Sequence, residues 1–336
     1  KGLSKTMIIS RTPFRISFFG GGTDYPVWYR QHGGQVLSTT IDKYCYITLR
    51  YLPPFFSYKY RIVYSKNEMV NTVKEIQHPV VRLALQAFGM KKGMEIHHDG
   101  DLPARTGLGS SSAFSVGLLH CLHVLQGKQV SKEQLTKEAI HFERDVLKEN
   151  VGSQDQVAVT YGGLNKISFS GHDEVSIQPI TISEKRRKEL ESHLVLYFTG
   201  FSRNASDVAK EQIENTQSKE KELQRMSEMV DEAIEILQNP STNIAKFGKL
   251  LHESWQLKKS LSSKISTPEI DAIYEKALRA GVVGGKLIGA GGGGFMLLFI
   301  PPEKQAAVKE ALNDLLEVRF QFEQEGSQII YNNKTV

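Results

Sequence analysis

Cysteine is scarce in this sequence. Only Cys45 and Cys121 occur among 336 residues, far apart and without metal-ligand spacing. That excludes a disulfide scaffold and a thiolate zinc site, and it fits a reducing cytoplasm. Long apolar runs are missing too: none reaches the roughly 18 residues a membrane-crossing helix needs, and no signal-peptide stretch opens the chain. No membrane partner is expected. No G-x-x-x-x-G-K-[ST] run occurs, which excludes a P-loop phosphate site. Charge of one sign is also thinly spread. The net charge is +5, but Lys210, Lys219 and Lys221 alternate with Glu211, Glu214, Glu220 and Glu222, as on a solvated helix face. No basic patch interleaves with aromatics, so nucleic acid is not an expected partner. Internal repeats and low-complexity linkers are absent.

What is present suffices for one large domain or two moderate ones, since 40% of the residues are hydrophobic. Met7–Phe19 reads as a strand broken by Gly20–Gly22. Further strands are expected over Gln35–Leu37, Tyr44–Tyr51, Tyr60–Tyr64 and Met94–His98, with a helix over His78–Phe88. Ala113–Leu125 reads as a buried helix. Ser131 and Gln134 form the start of a capped helix that runs toward Lys148. Val157–Phe169 and Val175–Ile180 read as strands. Past residue 185 the pattern becomes more helical: a long amphipathic helix over Asp207–Leu237, then Ile244–Leu261, Pro268–Ala280 and a closing helix over Pro302–Leu316. Short strands are expected over Leu194–Phe198, Lys286–Ile288 and Phe295–Ile300. The fold class is α+β with two domains, 7–185 and 186–336.

Four segments carry chemistry. The first is Pro103-Ala104-Arg105-Thr106-Gly107-Leu108-Gly109-Ser110-Ser111-Ser112-Ala113, lying between a strand and a very apolar helix. Glycines admit a phosphate close to the backbone, and free N–H groups at a helix start supply donors and a partial positive charge. The serine hydroxyls can reach a phosphate or Mg²⁺. A flexible loop with a serine cap is the plainer reading. The second is the run Gly289–Gly294, which satisfies G-x-G-x-x-G. A dinucleotide fingerprint should open a helix, however, and this run precedes the strand-like Phe295–Phe299. The third is Arg11–Tyr25, a strand ending in Gly20-Gly21-Gly22-Thr23-Asp24. A carboxylate beside a hydroxyl and open backbone suits sugar hydroxyls, though a glycine turn capped by Asp24 has the same pattern. The fourth is Glu143 followed by Gly152-Ser153-Gln154-Asp155-Gln156, where a carboxylate in a polar turn can accept a proton from an attacking hydroxyl.

Together and in this order, the segments Arg11–Asp24, Pro103–Ala113 and Lys286–Gly294 resemble the three motifs of the GHMP kinase superfamily, and the likeness spans nearly the whole chain. The resemblance implies an N-terminal half with the topology of a ribosomal-protein domain and a C-terminal ferredoxin-like half. It implies ATP and Mg²⁺, and an alcohol acceptor. Gly107, Leu108, Gly109, Ser110, Ser111, Ser112 and Ala113, with Pro103, then match the ATP phosphate loop, and Ser111 and Glu143 match the metal positions. Asp155, twelve residues after Glu143, matches the base, and Arg15 the cation at the reacting oxygen. Gly21, Gly22, Thr23 and Asp24 match the sugar-binding turn. Gly289–Gly294 becomes the glycine loop that packs beside the phosphate loop. Galactokinases carry Gly-Glu-His before the Thr-Asp-Tyr, and fucokinases Gly-Gly-Trp-Thr-Asp. The form Gly20-Gly21-Gly22-Thr23-Asp24-Tyr25 is similar to that of D-glycero-D-manno-heptose 7-phosphate kinases, which act on the way to GDP-heptose. A sugar phosphate substrate needs an anion site at its far end, for which Arg11, Lys43, Arg105 and Arg203 are candidates. A fucokinase-like or other free-sugar kinase is the alternative, an NAD-dependent oxidoreductase a distant one, and the expected state is a monomer or homodimer.

Overall fold

A computed structural model describes residues 6–200 and 205–333. In chain order the elements are β1 (Met7–Phe19), α1 (Pro26–His32), β2 (Gly34–Tyr51), β3 (Tyr60–Val63), β4 (Asn67–Val70), α2 (Pro79–Ala87), β5 (Met94–Gly100), α3 (Ser110–Leu125), α4 (Lys132–His141), α5 (Gln154–Tyr161), β6 (Asn165–Ser170), β7 (Glu174–Pro179), α6 (Glu184–His193) and β8 (Leu194–Phe198). There follow α7 (Ala205–Asn215), α8 (Glu220–Gln238), α9 (Ala245–Leu261), α10 (Pro268–Arg279), β9 (Gly284–Leu287), β10 (Phe295–Phe299), α11 (Gln305–Ala311), β11 (Leu316–Val318), β12 (Phe322–Glu323) and β13 (Gln328–Asn332).

Two sheets organise the molecule. The larger runs β13-β1-β2-β5-β3-β4, with β12 and β6 also on β2 and β7 on β6; the smaller runs β11-β8-β10-β9. The eighteen-residue β2 is the spine of the larger sheet because it pairs with β1, β5, β6 and β12 along its length. Strand β1 is buried on both faces from Thr12 to Phe19; Phe14, Ile16 and Phe18 join the apolar core, and the alternate positions Arg15 and Ser17 are buried polar groups on the other face. Helix α3 lies across β1 and β2, and the Ser10 hydroxyl donates to Gly117 O at 3.0 Å.

The structure departs from the sequence expectations in several places. Val157–Tyr161 is helical, in α5, rather than the start of a strand. Val157, Ala158, Val159 and Thr160 are all buried, and a short helix without a polar face has no period to distinguish it from a strand. Asp155 therefore sits in the first turn of a helix instead of a polar loop. The long helix expected over Asp207–Leu237 is broken into α7 and α8 by a 3₁₀ turn at Thr216–Lys219. There the Thr216 and Ser218 hydroxyls donate to Gln212 O and Asn215 O, and the Asn215 amide donates to Leu261 O. Such side-chain bonds compete with helix continuation. Helix α11 ends at Ala311, and Leu316–Val318 is a strand. Strands β12 and β13 then return to the larger sheet, which a closing helix over Pro302–Leu316 does not anticipate. Helix α4 ends at His141 and passes into a π turn, Phe142–Val146, that carries Glu143. Arg203 lies outside the described residues.

Candidate active site

A cleft of about 490 Å³ opens where the N-terminal turn, the phosphate-loop segment, α5 and the C-terminal elements meet. Its walls include Arg15, Gly21, Gly22, Asp24, Ser111, Ser112 and Asp155.

The loop before α3 is fixed from three sides. The Thr106 hydroxyl donates to Pro103 O at 2.8 Å and so tightens the turn. Strand β1 holds the loop's middle: Arg15 N donates to Leu108 O at 3.0 Å and Arg15 Nη1 to Gly107 O at 2.5 Å. The third side is the glycine run after β9. A Cβ on Gly107 would lie 2.0 Å from Ile288 O, and one on Gly289 would lie 2.4 Å from Gly107 Cα. The two backbones touch at a distance that only glycine permits on both sides. Phe295 N also donates to Thr106 O at 3.2 Å. The run Gly289–Gly294 thus supports the loop and leads into β10, as the motif order implies and unlike a dinucleotide turn. Leu108 and Ala113 are fully buried anchors, while Ser111 is exposed at the cleft. The sixteen-residue α3 presents its N-terminal N–H groups here, an arrangement whose partial positive charge suits an anion.

Beside it stands an ion pair. Arg15 Nε donates to Asp155 Oδ1 at 2.7 Å and Nη2 to Oδ2 at 2.8 Å. The fork holds the carboxylate plane while leaving each oxygen a free lone pair toward the cleft. Asp24 is 2% exposed. It accepts from Gly22 N at 3.0 Å and Gln154 N at 3.4 Å, and a Cβ on Gly152 would lie 1.8 Å from its Oδ2. Burial raises the Asp24 carboxyl above its ordinary range, the Gly22 N–H opposes this, and the nearby Asp155 charge adds to it. Thr23 does not face the cleft. It is fully buried, its hydroxyl donates to Gly20 O or Gln35 O and accepts from Gln35 N, and it pins the turn that aims Asp24.

Glu143 is fully buried behind Ser112, whose hydroxyl donates to Oε2 at 2.9 Å; Gln156 Nε2 donates to the same oxygen. The contact the structure gives Glu143 is therefore with Ser112, one residue beyond Ser111. Burial pushes the Glu143 carboxyl up to about 7, against the bonds from Ser112, Ser115 and Gln156. Oε1 and the nearby Ser115 hydroxyl are buried without a hydrogen bond of ordinary geometry. Because the folded value lies above the 4.5 of the free side chain, the native state holds more protons between those values, and stability falls as pH rises from 4.5 to about 7. Asp24 acts in the same direction. Glu143→Gln is expected to flatten its share of that fall, as measured by denaturant unfolding of the metal-free protein at pH 5, 6, 7 and 8. An unchanged pH slope would mean that Glu143 is already ionised in the fold.

Sequence reasoning missed the cations that face these carboxylates. Lys258 of α9 and Lys286 of β9 both line the cleft and are buried. Lys258 Nζ donates to Gly289 O, and Lys286 Nζ donates to Phe18 O at 3.1 Å. Burial lowers Lys258 to about 8; Arg15 lowers it further, while Asp24 and Asp155 oppose. Lys286 is held well below the ordinary lysine value by burial, then by Lys258 and Arg15. The available signal was a lysine on the same face as Leu251, Trp255 and Leu261, and another inside a fully buried strand. Among the cations considered for a distal phosphate, Arg105 lines the cleft. Arg11 lies over the Tyr44 ring and bonds Gln328, and Lys43 pairs with Asp42.

Comparison with known proteins agrees with this geometry. The family profile for the GHMP kinases N terminal domain matches residues 71–163, and that for GHMP kinases C terminal matches 209–318. D-glycero-alpha-D-manno-heptose 7-phosphate kinase of Campylobacter jejuni is 31% identical over 91% of this chain and 93% of its own length. A bifunctional fucokinase/GDP-fucose pyrophosphorylase of Arabidopsis thaliana is 26% identical over 93% of this chain but 31% of its own length. Among solved structures, a D-glycero-D-manno-heptose 1-phosphate kinase from Bacteroides thetaiotaomicron superposes with a TM-score of 0.78 at 23% identity, covering 96% of this chain and 99% of that one. The chain belongs to the GHMP kinases, and its likeness to the Campylobacter enzyme over nearly its whole length makes it a sugar kinase of that superfamily. Enzymes of this superfamily use ATP. Among the described residues no helix is long and apolar enough to cross a membrane.

Proposed function

We propose that this sugar kinase transfers the γ-phosphoryl of ATP to the anomeric hydroxyl of D-glycero-D-manno-heptose 7-phosphate, giving the 1,7-bisphosphate on a route to GDP-heptose and surface polysaccharide. The observation that carries the chemistry is the Arg15–Asp155 fork beside an anion-binding helix start, with Asp24 buried across the cleft. The substrate rests on the Gly20-Gly21-Gly22-Thr23-Asp24 turn and on the name of the Campylobacter relative.

Phosphoryl transfer asks mainly for positioning and charge neutralisation. The N–H groups from Gly107 to Ser112 receive the β- and γ-phosphates, that of Ala113 being taken by Gly109 O. Asp155 accepts the proton of the anomeric hydroxyl, which is more acidic than an ordinary alcohol and asks less of its base. Arg15 keeps Asp155 aimed and lends positive charge to the reacting oxygens, and Lys258 adds to that field. Asp24 accepts hydrogen bonds from ring hydroxyls. The serine and carboxylate oxygens suit Mg²⁺, a hard cation usually held by one or two carboxylates plus substrate phosphates. Glu143 fits such an ion because it is buried, lacks a partner at Oε1 and is raised in pKa without one; Ser112, which bonds its other oxygen, and the adjoining Ser111 are the hydroxyls that would join it. Bound there, Mg²⁺ would offset the charge of the β- and γ-phosphates.

If the 7-phosphate is read, the non-phosphorylated heptose loses one charged contact. We expect its kcat/KM to be lower by about ten- to a hundredfold, in a coupled ADP-release assay. Arg105→Ala is expected to narrow the gap. Equal efficiency for the two sugars would point to a free-sugar kinase, and preference for L-fucose to the fucokinase reading.

A further inference from the structure

Three polar side chains converge over the Gly21–Gly22 turn, and two of them carry a buried atom without a partner. Gln212 of α7 is 6% exposed and lines the cleft. Gln154, at the start of α5, is 9% exposed and its Oε1 is buried without a partner. Ser17 of β1 is 6% exposed with an unpartnered hydroxyl. Both Gln154 and Ser17 also line the cleft. Their positions are set by the glycines beneath them. A Cβ on Gly22 would lie 2.6 Å from Gln212 Nε2, and one on Gly21 would lie 3.8 Å from both Gln154 Nε2 and Ser17 Oγ. A side chain at 22 would thus collide with the Gln212 amide, while position 21 looks onto the Gln154 amide and the Ser17 hydroxyl at contact distance.

Native structures rarely leave a buried polar group unpaired without a reason. Two on one wall of one cleft, with the Gln212 amide beside them, point to a ligand that completes them. Amides and hydroxyls both donate and accept, which is the chemistry a polyhydroxyl compound presents in return. Phosphate is a poorer match, since the acceptor Gln154 Oε1 would face an anion.

We propose that Ser17, Gln154 and Gln212 form a hydroxyl-reading wall beside Asp24, and that these three side chains determine which sugar the kinase accepts. This rests on the sugar-kinase reading of the cleft but not on heptose as the sugar. Gly22 belongs to the device, because a side chain there would push the Gln212 amide out of line. Groups that bond substrate hydroxyls discriminate strongly against an analogue lacking one, because the wall's own polar atoms are then left unpaired.

The test pairs protein variants with monodeoxy analogues of the accepted sugar. Wild type, Ser17→Ala, Gln154→Leu and Gln212→Leu are each assayed for sugar kcat/KM and for ATP KM. Gln212→Leu is expected to lower sugar kcat/KM by about ten- to a hundredfold, through KM, with ATP KM unchanged. One deoxy analogue should lose a similar factor with wild type and lose nothing further with Gln212→Leu; Ser17→Ala and Gln154→Leu should each single out a hydroxyl of their own. A purely structural role would lower activity equally on every analogue, and that outcome, or no loss at all, overturns the proposal. If heptose 7-phosphate is not accepted, the deoxy series is built on the sugar that is, so failure of the substrate reading leaves this test intact. Should Gln212→Leu not fold beside Leu223 and Leu261, Gln212→Asn withdraws the same amide by one methylene and is expected to weaken the same hydroxyl preference.

Discussion

Asp155→Asn is expected to lower kcat by about 10³-fold or more, with ATP affinity within about twofold of wild type by calorimetry. The loss has two sources. An amide oxygen is a far weaker base than a carboxylate, so the anomeric proton has no acceptor at the moment of attack. The Arg15 fork is also spoiled, because an asparagine offers one acceptor where Asp155 offers two, at 2.7 and 2.8 Å. Its amide nitrogen would face an arginine N–H. ATP binding should survive, since Arg15 keeps its bonds to Gly107 O and Leu108 O and the loop stays anchored. Near-normal kcat in this variant would remove Asp155 as the base. A parallel loss of ATP binding would mean that the fork's main task is to hold the loop.

Asp24→Asn is expected to cut sugar kcat/KM by about a hundredfold, with ATP KM little changed. The asparagine keeps the shape of the site but surrenders the charge that strengthens each hydroxyl bond. It also leaves one of the Gly22 and Gln154 N–H groups, both now bonded to Asp24, facing an amide. Asp24→Ala should be worse and less stable, because it orphans both donors. Steady-state kinetics with sugar and ATP varied separately decide the matter; an unchanged sugar KM and kcat in Asp24→Asn would exclude this carboxylate from substrate contact.

How legible the site is in the sequence follows from how local its parts are. The phosphate loop is readable because everything it needs is contiguous: glycines, serines and then an apolar helix. The end-to-end packing of Gly107 on Gly289 is not readable from either segment alone, and became an expectation through the order of three motifs. Asp155 is findable by its spacing from Glu143 and its Gln154-Asp155-Gln156 setting, although its neighbourhood reads as a loop and folds as a helix start. Thr23 misleads for the opposite reason: its hydroxyl beside Asp24 looks like a sugar ligand, while the structure has it fastening Gly20 to Gln35. Lys258, Lys286 and Gln212 are invisible locally, because each gains its meaning from groups more than a hundred residues away. Most strands of the larger sheet are legible from apolar runs, although the continuous β2 reads as two pieces, Gln35–Leu37 and Tyr44–Tyr51, and β4, β12 and β13 are not read at all. The last two are short and partly exposed, and they are defined by the long-range pairing with β1 and β2.

The account stands or falls on where the phosphoryl group lands. The enzyme, ATP and Mg²⁺ are incubated with heptose 7-phosphate, and in separate reactions with mannose, galactose, L-fucose and homoserine, and the products are read by proton-coupled ³¹P NMR. The account predicts one ADP per new phosphate ester, with that phosphorus coupled to the anomeric proton of the heptose and the 7-phosphate signal retained. ADP release without a sugar ester, or a new ester on any hydroxyl other than the anomeric one, would contradict it.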